Sequence, residues 1–98
     1  MAFAQIITLS TSKGEELQAL DQEWLKATEG KRTARRQLLL QDRKDPNRYY
    51  NIVFFDSAES AMENSNLPET SEFAGRIAAL CDGTITFADC DVLVESEY

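Results

Sequence analysis

Two side-chain amides stand in runs that are otherwise apolar, and they are the first candidates for chemistry. Asn51 lies in Arg-Tyr-Tyr-Asn-Ile-Val-Phe-Phe-Asp, residues 48–56, and Gln5 lies between Phe3 and Ile7. A buried amide costs stability unless it is hydrogen-bonded. Each therefore either bonds to a neighbouring strand or across a subunit boundary, or donates into a pocket and holds a substrate oxygen. Arg36 alternates with Leu38 and Leu40. Turned inward, its guanidinium would hold an enolate or carboxylate through a charged fork; turned outward, it is a surface ion-pair partner. Asn51, Gln5 and Arg36 together would stabilise developing oxyanion charge. Trp24 and Tyr49 are walls for a flat ligand, or else core aromatics. Asn64 and Asn66 flank a break before Pro68 and are ligand contacts or turn residues. Arg76 is expected to pack its stem and solvate its head.

The chain contains no histidine. That removes the commonest general base and metal ligand, the usual triad base and the commonest haem ligand. The two cysteines, Cys81 and Cys90, form no Cys-x-x-Cys pair, so no metal site is expected. They are expected to be reduced and to pack as small hydrophobes. Gly14, Gly30, Gly75 and Gly83 are scattered and form no phosphate loop. No nucleophile–base pair is visible, and no cofactor is expected.

These residues are positioned by elements legible in the pattern. Residues 3–9 read as a strand. Ser12 and Glu15 have the spacing of a capping box for a helix to about Thr28, with Leu17, Leu20, Trp24 and Ala27 as its buried stripe and Gly30 as its stop. Residues 34–42 and 48–56 read as a hairpin joined by Asp45-Pro46-Asn47. Asp56 or Ser57 caps a short helix carrying Ala58, Ala61 and Met62. Pro68 starts another with Phe73, Ile77 and Leu80 inward, ended by Asp82-Gly83. Residues 84–95 read as the last strand. The order β-α-β-β-α-β predicts one α+β domain over residues 1–98, a ferredoxin-like antiparallel sheet of order 4-1-3-2 with its helices on one face.

In the strand 48–56, Tyr49, Asn51, Val53 and Phe55 share one face and Tyr50, Ile52 and Phe54 lie on the other. Both faces are largely apolar, yet 98 residues hold helix enough for one. The second layer is expected from another copy of the chain, giving a homodimer.

The net charge of −7 argues against nucleic acid as a partner. Eight of the ten basic residues nevertheless fall in 26–48. They either guard a solvated edge strand or serve an anionic ligand. No run reaches the ~18 apolar residues of a membrane span, and the N-terminus lacks a basic region followed by an apolar one. A cytoplasmic protein without membrane contact is expected.

The stretch Asp42 to Gly83 resembles the dimeric α+β barrel superfamily, near its antibiotic-biosynthesis-monooxygenase-like branch. The hairpin Asp-Arg-Lys-Asp-Pro-Asn-Arg-Tyr-Tyr and the segment Ala-Met-Glu-Asn-Ser-Asn-Leu-Pro-Glu-Thr-Ser-Glu-Phe carry the resemblance. Asn64 stands where a histidine is frequent, and Glu69 where a second one follows proline. The resemblance implies a homodimer with sheets packed face to face and a pocket in each subunit between sheet and helices. It implies a small aromatic or enolisable ligand and a cofactor-independent monooxygenase or isomerase. The alternative, from another class, is a non-catalytic dimeric ligand-binding or stress-response module.

Overall fold

The alternating runs form one four-stranded antiparallel sheet in the computed structural model, which describes residues 2–98. In chain order the elements are β1 (Phe3–Ser10), α1 (Gly14–Ala27), β2 (Arg36–Gln41), β3 (Arg48–Phe55), α2 (Ala58–Ser65), α3 (Pro68–Leu80) and β4 (Thr86–Asp91). The strand order β2-β3-β1-β4 is the ferredoxin-like order expected, with the basic β2 at an edge.

Register decides which side chains can meet. Leu9 pairs with Tyr49, Ile7 with Asn51, Gln5 with Val53 and Phe3 with Phe55. Gln37, Leu39 and Gln41 of β2 and Phe87 of β4 continue this face. It is the covered face. Leu9 and Tyr49 pack with Leu17 of α1, with Ile77 of α3 against them, while Val53 and Phe55 pack with Ala61 of α2. The opposite face carries Ile6, Leu38, Leu40, Tyr50, Ile52 and Phe54 in register and has no helix over it.

Sheet and helix approach closely where α1 begins. A Cβ built on Gly14 would collide with the hydroxyl of buried Tyr49. Gly14→Ala is therefore expected to destabilise the fold by roughly 1–2 kcal/mol, overpacking outweighing the better helix propensity of alanine. Urea unfolding checks this; an unchanged or raised midpoint would mean that Tyr49 yields freely.

Several expectations about local structure are corrected. Ser12 does not cap α1: the cap position is Lys13, whose own side chain makes no capping bond. The buried Thr11, one residue earlier, takes the Lys13 N–H and donates to the carbonyl of Leu80 at 2.6 Å, which ties the start of α1 to the end of α3. Ala27 is exposed, because Thr28, four residues after Trp24 and fully buried, takes the next place in the stripe. Met62 is 67% exposed, because Ala61 and Asn64 hold the inner side of α2. β4 ends at Asp91, since its partner β1 begins at Phe3 and Phe3 pairs with Asp91. Leu93 and Val94 beyond it are exposed. Both cysteines are free and half-buried, and burial pushes the Cys81 thiol up from its ordinary pKa.

Other local expectations agree. Ser57 caps α2 by accepting the Ser60 N–H, and Pro68 opens α3. Gly30 and Gly83 follow the helix ends with φ of +80°, a conformation that costs a residue with a Cβ. Asp42 anchors the hairpin by accepting the Tyr50 hydroxyl at 2.7 Å and the Lys44 and Asp45 N–H groups. These donors hold the Asp42 carboxyl below its ordinary range, and the same contact raises the Tyr50 phenol.

Candidate functional site

The covered face of the sheet and the helices do not meet everywhere. Between them lies a cavity of about 270 Å³, open to solvent on one side. Its sheet wall is Gln5, Ile7, Gln37, Asn51, Val53, Phe55 and Phe87, and its helix wall includes Asp21, Trp24, Asn64, Thr70, Phe73 and Ile77. A smaller lobe of about 90 Å³ shares Asn51, Asp21 and Ile77 with it and is closed by Leu9, Leu17, Leu39 and Ile85. The arrangement is an apolar slot with amides along its sheet side, the usual form of a small-molecule site.

Asn51 stands mid-sheet because β3 is flanked by β1 and β2. Its Oδ1 accepts from Gln37 Nε2 at 2.9 Å, and the same Gln37 nitrogen donates to Asp21 Oδ1 at 2.6 Å. The Asn51 Nδ2 makes no hydrogen bond among the described residues. Asn64 is buried at the end of α2, where its Oδ1 accepts the Thr33 N–H at 3.2 Å. Its Nδ2 has no partner among the described residues. Trp24 is fixed from two sides: its Nε1 donates to Thr70 Oγ1 at 3.3 Å, and the Arg32 guanidinium lies 5.9 Å from its ring centroid. Gln5 reaches the other edge of the sheet and donates to Asp89 at 3.1 Å. Its register partner on β3 is Val53, two residues from Asn51, so the two amides share the face but do not touch.

The structure thus brings Asn51, Gln5, Trp24 and Asn64 to one cavity. It places Tyr49 and Arg36 elsewhere. Tyr49 is core, packed on Leu9 and Leu17, and its hydroxyl accepts from Gln41 at 3.3 Å. Arg36 pairs in register with Phe54, which puts it on the bare face, and its guanidinium stacks 5.6 Å from that ring. A strand's two-residue period forbids Arg36 and Gln37 from sharing a face. Lys31, Arg32 and Arg35 of the basic segment are also engaged outside the cavity. Lys31 pairs with Glu69 and Arg35 with Asp56, both at 2.7 Å, and each pairing holds its carboxyl below the ordinary range. Arg32 donates to the carbonyl of Leu25. No lysine or arginine among the described residues lines the cavity. Arg76 pairs with Glu23 at 2.9 Å and lies over Phe73, and Asn66 closes α2 through backbone bonds.

Sequence reasoning missed Gln37 and Asp21. Both had a signal: Gln37 alternates with Leu39 on the inner face of an apolar strand, and Asp21 sits four residues after Leu17 and three before Trp24, inside the buried stripe. No group of three or more cysteine and carboxylate side chains that would hold a metal ion occurs among the described residues. Nor is any helix among them long and apolar enough to cross a membrane.

No family model matches the chain, and no curated protein matches it in sequence. Solved structures do match in fold. SnoaB from Streptomyces nogalater, described as a cofactor-independent oxygenase and solved as a mutant, superposes with a TM-score of 0.83 at 14% identity, over 96% of this chain and 95% of that one. A Nitrosomonas europaea protein provisionally described as an antibiotic biosynthesis monooxygenase gives 0.82 at 12% identity, over 98% and 94% of the two chains. One from Deinococcus radiodurans, described in the same provisional terms, gives 0.79 at 16% identity, over 100% and 98%. Nearly the whole of each chain is shared at identities that speak only for backbone architecture: the protein has the ferredoxin-like α+β fold of the antibiotic biosynthesis monooxygenase-like proteins.

Proposed function

We propose that the chain is a small cofactor-independent monooxygenase or isomerase that holds an aromatic or enolisable molecule in the cavity between sheet and helices. The observation that carries this reading is the amide-lined apolar slot itself: Asn51 and Asn64 each engage their oxygen with the protein and leave the Nδ2 hydrogens for a ligand oxygen. Such donors, aimed before the reaction begins, are what an enolate or phenolate requires. Trp24 and Phe73 supply flat apolar wall. The fold shared with a described cofactor-independent oxygenase supports the same reading. Because no basic side chain lines the cavity, a neutral aromatic suits it better than an anion. The second reading, a non-catalytic ligand-binding or stress-response module, is favoured by the absence of a nucleophile–base pair from the cavity lining.

Oxygen uptake with a panel of hydroxylated and enolisable polycyclic aromatics separates the two. Uptake that depends on the wild-type protein supports an oxygenase, and ligand binding with neither oxygen uptake nor isomerisation supports the module. Asn51→Leu refines the test. It removes an acceptor from Gln37, but the freed hydrogen faces a cavity roomy enough for water, so stability is expected to change by less than about 1 kcal/mol. Aromatic binding should weaken at least about tenfold, the scale of one lost hydrogen bond. A loss of stability above about 2 kcal/mol would make Asn51 a structural residue.

We further propose that the protein is a cytoplasmic homodimer joined through the bare sheet face. Ile6, Leu38, Leu40, Tyr50, Ile52 and Phe54 make that face a contiguous apolar patch of a kind that a monomer rarely exposes.

A further inference from the structure

Among the described residues, Asp21 is the only ionisable side chain lining the cavity. It is half-buried, and none of the three ion pairs among the described residues involves it. Its Oδ1 is bound to Gln37, whose two amide hydrogens are both in use, one on Asp21 and one on Asn51. That leaves Asp21 Oδ2 as a free acceptor, joined through one side chain to the Asn51 amide, whose Nδ2 is a free donor. An ionised carboxylate only accepts, and it repels a second negative charge strongly where water is partly excluded.

We propose that Asp21 is the anchor and proton acceptor of this cavity, and that it makes the site select a neutral aromatic bearing an acidic O–H over the corresponding carboxylate. The inference deepens the proposed function and rests on it. In the ground state the ligand hydroxyl donates to Asp21 Oδ2. When the ligand ionises, the electron pair of the O–H bond stays on its oxygen, the proton passes to Oδ2, and the Asn51 Nδ2 hydrogens are placed to bind the oxyanion. A ligand already charged gains no partner here, since no cation lines the cavity, and it meets the Asp21 charge directly. Rejection is thus built in as repulsion rather than as lost fit.

Trp24 is the chain's single tryptophan and lines the cavity, so its fluorescence reports occupancy. The probes are p-nitrophenol and p-nitrobenzoate, similar in shape, in a mildly acidic buffer where the phenol keeps its proton and the benzoate does not. Wild type should bind the phenol at least about tenfold more tightly. Asp21→Asn preserves shape and still offers Gln37 an acceptor. It should weaken the phenol, strengthen the benzoate, and cut the preference at least about tenfold. Equal affinity of wild type for both probes overturns the inference without recourse to any variant. So does a preference unchanged in Asp21→Asn, and in either case quenching by the phenol leaves the aromatic site standing. Quenching by neither probe overturns the aromatic-site reading and this inference with it.

Discussion

Ile52→Lys is expected to turn a dimer into a monomer of 11.1 kDa while leaving the fold intact. Ile52 sits at the centre of the bare face, with Leu38 beside it on β2 and Ile6 beside it on β1. A large apolar side chain gains about 1.5–3 kcal/mol on full burial. The six on this face are already partly shielded by one another. At half value, six from each of two protomers supply roughly 9–18 kcal/mol, against an association cost of about 4–15 kcal/mol. A lysine in the middle of that interface buries an unpaired charge at a cost of several kcal/mol per ion, enough to raise Kd by a factor on the order of a thousand. In the monomer the same lysine is solvated and nearly neutral in effect. Sedimentation velocity at micromolar concentration should show twice the chain mass for wild type and the single mass for the variant. A monomeric wild type, or a variant that remains dimeric, would refute the interface.

Leu17→Ala should carry the largest cost to stability, about 2–5 kcal/mol of a total that for such domains is roughly 5–15 kcal/mol. Leu17 is 3% exposed and joins α1 to Leu9 and Tyr49 of the sheet. It also closes the inner lobe of the cavity. The void left by the substitution would merge with that lobe, whose other walls come from the sheet and from Ala74 and Ile77 of α3, so the site has little freedom to collapse. Urea unfolding measures the loss, with Met62→Ala as the contrast: Met62 is 67% exposed, and its removal should stay within about 0.5 kcal/mol. A cost below about 1 kcal/mol for Leu17 would show that the helix layer repacks.

The architecture was legible because the local signals and the topology agree. Two-residue alternation marked the strands, Asp45-Pro46-Asn47 marked the hairpin, and Pro68 marked the start of α3. The site was legible only in part. Asn51 interrupts a strand apolar on both faces, which flags it without further knowledge. Arg36 illustrates the limit: its neighbours Leu38 and Leu40 show that its face is apolar, but an inner face and an interface face look alike in sequence. Only its register with Phe54 separates them. Asp21 and Gln37 were missed for another reason. Each interrupts an apolar face, but what joins them is a bond made only when α1 and β2 meet, sixteen residues apart in the chain. The capping box at Ser12 failed because the buried Thr11 gained a tertiary partner in Leu80, which no local pattern encodes.

The Gln37 bridge also bears on how such a site can be remodelled. The residue belongs to an edge strand, yet it fixes the direction of an amide on the neighbouring interior strand. An acceptor at position 37 in place of the amide nitrogen, with a donor in place of the Asp21 carboxylate that this nitrogen also binds, would invite Asn51 to turn over and present oxygen to the cavity where it now presents nitrogen. The polarity of the pocket can thus be inverted from the periphery, without altering a core contact or the sheet's register. Ligand preference is thereby separable from foldability, which gives one scaffold room to diversify in the small molecules it takes while its packing stays under constant selection.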